Sequence, residues 1–161
     1  NDIGITCKNK TFEGAIPKKF LGWECSKHIL RGLFETDGSL YFSKIKGVSS
    51  YPRVEIKTSS ICVANQIKDI LEQKGFKPHD RTNKHDRTIG VYLSGQEMLE
   101  KWVNDIGFGS NKNLSKYLMW KKLGYYIPKI RYSDRIKILN PENDIHARVP
   151  KRLIVTEICT S

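Results

Sequence analysis

A chain of 161 residues that is 39% hydrophobic and 10% aromatic can bury a core of its own as one domain. Lys and Arg outnumber Asp and Glu by 28 to 17, a net charge of +11, and that balance calls for a polyanionic partner. No apolar run is long enough to cross a membrane, and no signal-peptide pattern opens the sequence, so nucleic acid is the expected partner and an intracellular setting, its compartment unassigned, is expected. Cys7, Cys25, Cys62 and Cys159 form no C-x-x-C pair. Cys25 and His28 have a C-x-x-H spacing, which alone is weak evidence of metal. The cysteines are read as reduced thiols, with Cys25 and Cys62 expected in the core.

Residues 1–15 are polar, show no period and read as an N-terminal extension. Pro17 suits the first turn of a helix or the turn before one. Apolar Ile29, Leu30, Leu33 and Phe34 predict a helix over 24–36. A strand over 39–46, a turn over 47–50 and a return strand over 53–59 follow. The next helix, 61–74, carries Ile61, Val63, Ile67, Ile70 and Leu71, with Ser59 or Ser60 as N-cap and Gly75 past its end. Strands over 76–81 and 88–93 flank a polar tip at 82–86. A helix over 96–105 has Met98, Leu99, Trp102 and Val103 on its apolar side and stops at Gly107. Another runs over 112–123, capped by Ser110 or Asn111. Ser133 is expected to cap a short helix to Leu139, ended by Pro141. The order is α-β-β-α-β-β-α-α, an α+β pattern with two hairpins in one antiparallel sheet.

Within each strand the apolar residues alternate with polar, largely basic ones, so the apolar sets must face the helices. The opposite face then collects Tyr41, Ser43, Arg53, Lys57, Lys77, His79, Arg81 and Tyr92. For any one of these a solvated surface is the ordinary role. Together with the net charge they read as a sheet face for the DNA major groove. Lys44 and Lys46 fall out of that register; phosphate contact and re-aiming by a bulge are both open. Arg87, at the start of the fourth strand, joins the DNA-contacting set.

One stretch breaks ordinary helix rules. Leu30-Arg31-Gly32-Leu33-Phe34-Glu35-Thr36-Asp37-Gly38 has a glycine in the helix interior and carboxylates at the helix C-terminus. The first costs about 1 kcal/mol and the second opposes the macrodipole. Two violations in one motif point to a functional site. With Ser39 after it, the stretch closely resembles the LAGLIDADG signature of homing endonucleases. The layout of hairpins and helices, and Ile106-Gly107-Phe108-Gly109-Ser110-Asn111-Lys112, extend the resemblance over residues 16–125. Arg31 and Glu35 replace the small residue and the aspartate frequent at their positions.

The resemblance implies an αββαββα fold with a saddle-shaped antiparallel sheet over DNA, an endonuclease domain over 16–125 and a basic extension over 126–161. It implies two motif helices packed side by side, with Gly32, Leu33 and Thr36 at their interface. A missing side chain at Gly32 lets two backbones approach closely. It assigns the essential carboxylate to Asp37, which would bind a divalent cation, Mg²⁺, helped by the backbone carbonyl of Thr36. Such ions activate water in phosphodiester hydrolysis. It places Lys112 near the scissile phosphate as a catalytic cation that stabilises the developing charge or polarises the attacking water; an exposed helix-start lysine is an equal reading. Ser59 and Ser60 lie where the family places a water-holding polar residue, against the helix cap as alternative.

The motif occurs in one copy, which is half a catalytic centre. A homodimer on a palindromic or near-palindromic target is therefore expected, of an intron-encoded type; a piece of a two-motif chain is the alternative. The expected function is site-specific double-strand DNA cleavage. A non-cleaving maturase, or a DNA- or RNA-binding regulator on the same scaffold, is the competing reading. In the extension, Arg131, Arg135, Lys137, Arg148, Lys151 and Arg152 favour phosphate contact.

Overall fold

The computed structural model describes residues 14–140, apart from Lys84 and Asp86. The expectations for residues 1–13 and 141–161, including Cys7, Pro141, Arg148, Lys151, Arg152 and Cys159, fall outside the described residues. The chain divides into two compact units that meet in sequence between Gly107 and Phe108. Among the described residues no helix is long and apolar enough to cross a membrane.

The first unit opens with a single 3₁₀ turn at Lys18–Phe20, started by Pro17, whose carbonyl accepts from the Phe20 N–H. Then come α1 (Trp23–Asp37), β1 (Gly38–Ile45), β2 (Val48–Thr58), α2 (Ile61–Gln73), β3 (His79–Asn83), β4 (Thr88–Ser94) and α3 (Gln96–Asp105). The strands form one antiparallel sheet in the order β1-β2-β4-β3. This is the expected α+β class and the expected αββαββα order. The two hairpins join through β2 and β4, so β1 and β3 are the edges.

Helix α1 buries Ser26, Leu30 and Phe34, a stripe of four-residue spacing. These pack with Leu40, Val54, Ile56, Val91 and Leu93 from the sheet, Ile67 and Leu71 from α2, and Leu99 and Trp102 from α3 to make the core. The Phe34 and Trp102 rings sit 5.3 Å apart, both buried. Replacing Phe34 with Ala is expected to cost about 3–5 kcal/mol by leaving a cavity at this centre. Urea unfolding checks it, and a loss below about 1 kcal/mol would mean the site collapses around the gap.

Ser60 rather than Ser59 caps α2, accepting from the Val63 N–H at 3.3 Å and donating to the Gly14 carbonyl. The helix ends in a Schellman motif: Gly75 at φ +73° donates to the Glu72 carbonyl, and Phe76 donates to that of Leu71. That motif corrects the third strand. Phe76 is the buried apolar residue that closes the helix end, so β3 begins at His79 and extends to Asn83 instead of spanning 76–81. Lys77 therefore precedes the strand, its backbone N–H on the Met98 sulfur. The first hairpin is tighter than expected, Lys46-Gly47 being the turn, with residues 48–50 already in β2. Pro52 fits inside β2 because its carbonyl accepts from Gly95 on the β4 side, so its nitrogen faces away from β1.

The thiols of Cys25 and Cys62 are not in the core; both residues are exposed, because they lie on helix faces turned from the sheet. Ile61 is likewise 65% exposed rather than part of the α2 apolar stripe.

The second unit holds α4 (Asn111–Leu123) and α5 (Tyr132–Leu139). Ser110 caps α4, accepting from the Asn113 N–H, and Gly124 ends it in the left-handed conformation. Ser133 does not cap α5: the helix begins at Tyr132, with Arg131 at the cap position. Nor is Arg135 a surface cation. It is buried and donates to Ser115 Oγ (3.0 Å), the Ile130 carbonyl (3.0 Å) and the Lys112 carbonyl (3.4 Å), tying α5 to the first turns of α4. Lys122 donates to the carbonyl of Ile138 at the end of α5, where the helix dipole favours a cation.

Candidate functional site

The oddities of the 30–38 stretch resolve into three local reasons. Gly32 is exposed on α1, and a Cβ built there meets nothing within 4 Å. No contact among the described residues asks for glycine at that point. Around it Cys25, Ile29, Leu33 and Thr36 follow at helical spacing, exposed or half-buried. Arg31 turns the other way, its Nε donating to the Ile106 carbonyl at 2.7 Å just beyond the end of α3. A long cation at the second motif position thus anchors α1 to a helix C-terminus.

Gly38 is needed for a different reason. A Cβ there would stand 2.5 Å from the Phe34 carbonyl oxygen and 2.6 Å from the Phe34 Cα. The chain passes from α1 into β1 so closely that only glycine fits. Gly38→Ala is expected to destabilise by about 1–3 kcal/mol, the usual range for overpacking, and to displace Asp37 beside it. Thermal unfolding checks this, and an unchanged melting temperature would contradict it.

Asp37 is the last residue of α1 and is exposed. No basic residue lies in the last turn of that helix, so the carboxylate adds to the negative end of the dipole. Asp37 lines an open groove with Leu33, Ile56, Lys57, Thr58, Ser59, Val63 and Thr88. Ser59, which does not cap α2, lines the same groove as the motif carboxylate. The Thr36 hydroxyl donates to the carbonyls of Gly32 and Leu33.

The strand pairing places most of the expected polar face together. Tyr41 stands opposite Arg53, and Arg53 opposite Ser94. Glu55 stands opposite Tyr92, and Tyr92 opposite His79. Lys57 stands opposite Gly90, and Gly90 opposite Arg81, while Ser43 faces Tyr51. Directly opposed residues share a face. Tyr41, Ser43, Arg53, Lys57, His79, Arg81 and Tyr92 therefore form one surface, turned from the helices. The β1–β2 register breaks between Ser43 and Ile45, which puts exposed Lys44 at the irregularity and Lys46 in the turn. Arg87 is exposed in the β3–β4 turn with φ +54°.

Glu55 was not among the expected site residues. It sits at the centre of the polar surface, buried, with its carboxylate on Arg81: Nε to Oε1 at 3.0 Å and Nη2 to Oε2 at 3.1 Å. That carboxylate, then the Tyr41 hydroxyl, raises the Arg81 guanidinium above its ordinary pKa. Alternation put Glu55 between Arg53 and Lys57, which was the available signal for its face.

Lys112 is exposed in the first turn of α4, in the second unit. Its neighbour one turn on, Lys116, has its ammonium pushed down, by burial first and then by the charges of Lys112 and Arg135.

A divalent ion asks of this chain only hard oxygen donors. Among the described residues no three His, Cys, Asp or Glu side chains gather. What α1 offers is one exposed carboxylate at a helix C-terminus and the carbonyls of its last turn. That fits a hard divalent cation that takes one or two carboxylates and keeps several waters.

Comparison with known proteins agrees with the motif. No curated protein matches the chain significantly. Among solved structures it is similar to mesophilic variants of the homing endonuclease I-DmoI, at 25% identity, a TM-score of 0.38 and coverage of 48% of this chain and 46% of that one. It is also similar to I-DmoI in complex with DNA and Mn, at 21% identity and a TM-score of 0.40, covering 71% and 59%. With DNA and Ca the figures are 21%, 0.39, 71% and 55%. The chain thus spans about half the length of the solved structures it matches. The LAGLIDADG-like domain profile matches residues 24–107, more than half of the sequence, and ends where the first compact unit ends. With the motif on α1, the α+β order of 23–105 and this match in hand, the chain belongs to the LAGLIDADG-like domain family.

Proposed function

We propose that this protein is a site-specific DNA endonuclease that hydrolyses phosphodiesters with a divalent cation, Mg²⁺, and works as a pair of identical copies on a palindromic or near-palindromic duplex. One observation carries the reading: Asp37 shares a groove with Lys57 and Thr88, which the strand register puts at the end of the polar sheet surface. The carboxylate therefore lies at the border of the surface that Tyr41, Arg53, Lys57 and Arg81 make attractive to DNA.

Each chain's residues have a defined part. Tyr41, Ser43, Arg53, His79, Arg81 and Tyr92 face the base edges, while Lys44, Lys46, Lys57, Lys77 and Arg87 supply ammonium and guanidinium groups to phosphates. The exposed Gly32 face, with Leu33 and Thr36, meets the same face of a second copy, so two α1 C-termini come together and present two Asp37 carboxylates. Asp37 and the Thr36 carbonyl would hold the cation, which when bound lowers the pKa of its water and offsets charge on the leaving oxygen. The arrangement needs two copies because one motif offers one carboxylate.

The test is incubation of the protein and Mg²⁺ with a library of palindromic duplexes. Recovery of both cut strands from a defined subset is expected, with loss of cutting when EDTA is added. A library left intact in Mg²⁺ and in Mn²⁺ would overturn the proposal.

A further inference from the structure

The polar sheet surface contains a carboxylate where a surface meeting a polyanion should avoid one. Glu55 is the residue concerned, and its side chain is 2% exposed while that of its partner Arg81 is 54% exposed. The pair is built in rather than incidental. Gly90, directly opposite both Lys57 and Arg81, leaves the room: a Cβ there would collide with Glu55 Oε1. Tyr92, opposite Glu55, has its ring 6.0 Å from the Arg81 guanidinium carbon and 5.5 Å from that of Arg53. The Tyr41 hydroxyl lies 3.5 Å from Arg81 Nη2, a long contact that gives way easily.

The geometry of the guanidinium fixes what the pair is for. Glu55 occupies the side edge, made by Nε–H and one Nη2–H. The end edge, made by Nη1–H and the other Nη2–H, is the pair of parallel donors that the carboxylate does not occupy, on a side chain that is 54% exposed. Guanine offers two matching acceptors, O6 and N7, in the major groove. An exposed arginine loses rotamer entropy of about 2 kcal/mol when it is ordered. Here Glu55 imposes that order at folding, before any ligand arrives. Arg81 and Glu55 together carry no net charge, so they add little to phosphate attraction. What remains for them is direction.

We infer that Glu55 is a positioning residue that holds Arg81 as a reader of guanine, making the two a specificity-determining pair on the sheet. The inference rests on the DNA-binding reading above. It predicts opposite signs for two properties of Glu55→Gln. Removing the carboxylate frees the arginine charge, so affinity for non-specific duplex stays level or rises, and the salt dependence steepens by about one phosphate contact. Preference for guanine at the position read by Arg81 falls about 5- to 150-fold, the value of one bidentate base contact.

The experiment is selection from a randomised duplex library by the full chain in EDTA, with wild type, Glu55→Gln and Arg81→Lys in parallel. Arg81→Lys keeps a cation for the Glu55 carboxylate and loses the fork, so it is a second route to the same loss of base reading, and melting curves of both variants verify that they are folded. Loss of one symmetric guanine preference in both variants, with non-specific affinity retained in Glu55→Gln, is the expected result. Retention of that preference by either variant overturns the inference while the DNA-binding reading stands. A parallel loss of specific and non-specific binding in Glu55→Gln makes the residue merely structural and also overturns it. A wild-type chain that enriches no sequence overturns the DNA-binding reading, and this inference with it.

Discussion

Asp37→Asn is expected to lower the cleavage rate by more than about 100-fold, because even partners that only orient a metal's ligands are worth 10- to 100-fold. The amide keeps the shape of the side chain and removes its charge. DNA affinity should hold or improve, since a negative group leaves a surface that meets phosphates. Stability without metal should rise by about 0.3–1 kcal/mol, because Asp37 ends α1 where the dipole is already negative and no cation in the last turn offsets it. Adding Mg²⁺ should raise the melting temperature of the wild type and leave that of the variant unchanged, as a ligand stabilises only the state that binds it. Cleavage assays, gel shifts and melting curves with and without Mg²⁺ check the four results. Wild-type cutting by Asp37→Asn would remove Asp37 from the catalytic role.

The second large effect separates folding from association. Gly32→Leu adds a side chain where nothing lies within 4 Å and replaces the poorest helix former but proline with a good one. The single chain should become more stable by up to about 1 kcal/mol. Association of the proposed homodimer should weaken sharply, because a symmetric contact through Gly32 would meet the new side chain twice. Overpacking costs about 1–3 kcal/mol per site, so two sites amount to about 2–6 kcal/mol, or roughly 30- to 10⁴-fold in association. Sedimentation across a concentration series reads the association, and melting at low concentration reads the fold. Equal association of variant and wild type would place the interface elsewhere. Gly38, six residues on, predicts the reverse pattern: there a Cβ strikes the backbone of Phe34, so folding suffers first.

Much of this molecule is determined by short-range pattern. The apolar spacing of Leu30 and Phe34, the Ser60 cap, the Gly75 and Gly124 stops and the period-two alternation in β1, β2 and β4 are local choices. Each is written in residues a few positions apart, which is why the helices and the polar face were legible. So was the motif itself, because its glycine and carboxylates contradict the helix they sit in. The residues that went astray were decided by contacts that the apolar period does not encode, some near in sequence and some far. Phe76 looked like the start of a strand, yet its N–H turns back to the Leu71 carbonyl, so β3 starts later. Arg135 looked like a surface cation, yet its guanidinium reaches Ser115, 20 residues away. Cys25 and Cys62 have core-type chemistry, but the sheet lies on the other side of their helices.

Glu55 is the sharpest case. By alternation it shares a face with Arg53 and Lys57, and nothing near it in sequence distinguishes it from a solvated carboxylate. Its burial comes from Arg81, 26 residues away on an edge strand, and from the space left by Gly90 on β4. The sequence by itself determined the elements, the polar surface and the motif carboxylate, since local hydrogen bonding and side-chain period govern those. Tertiary structure alone decided which charges on that surface are free and which are locked together, because that depends on strand register, and register brings together residues that the chain keeps apart.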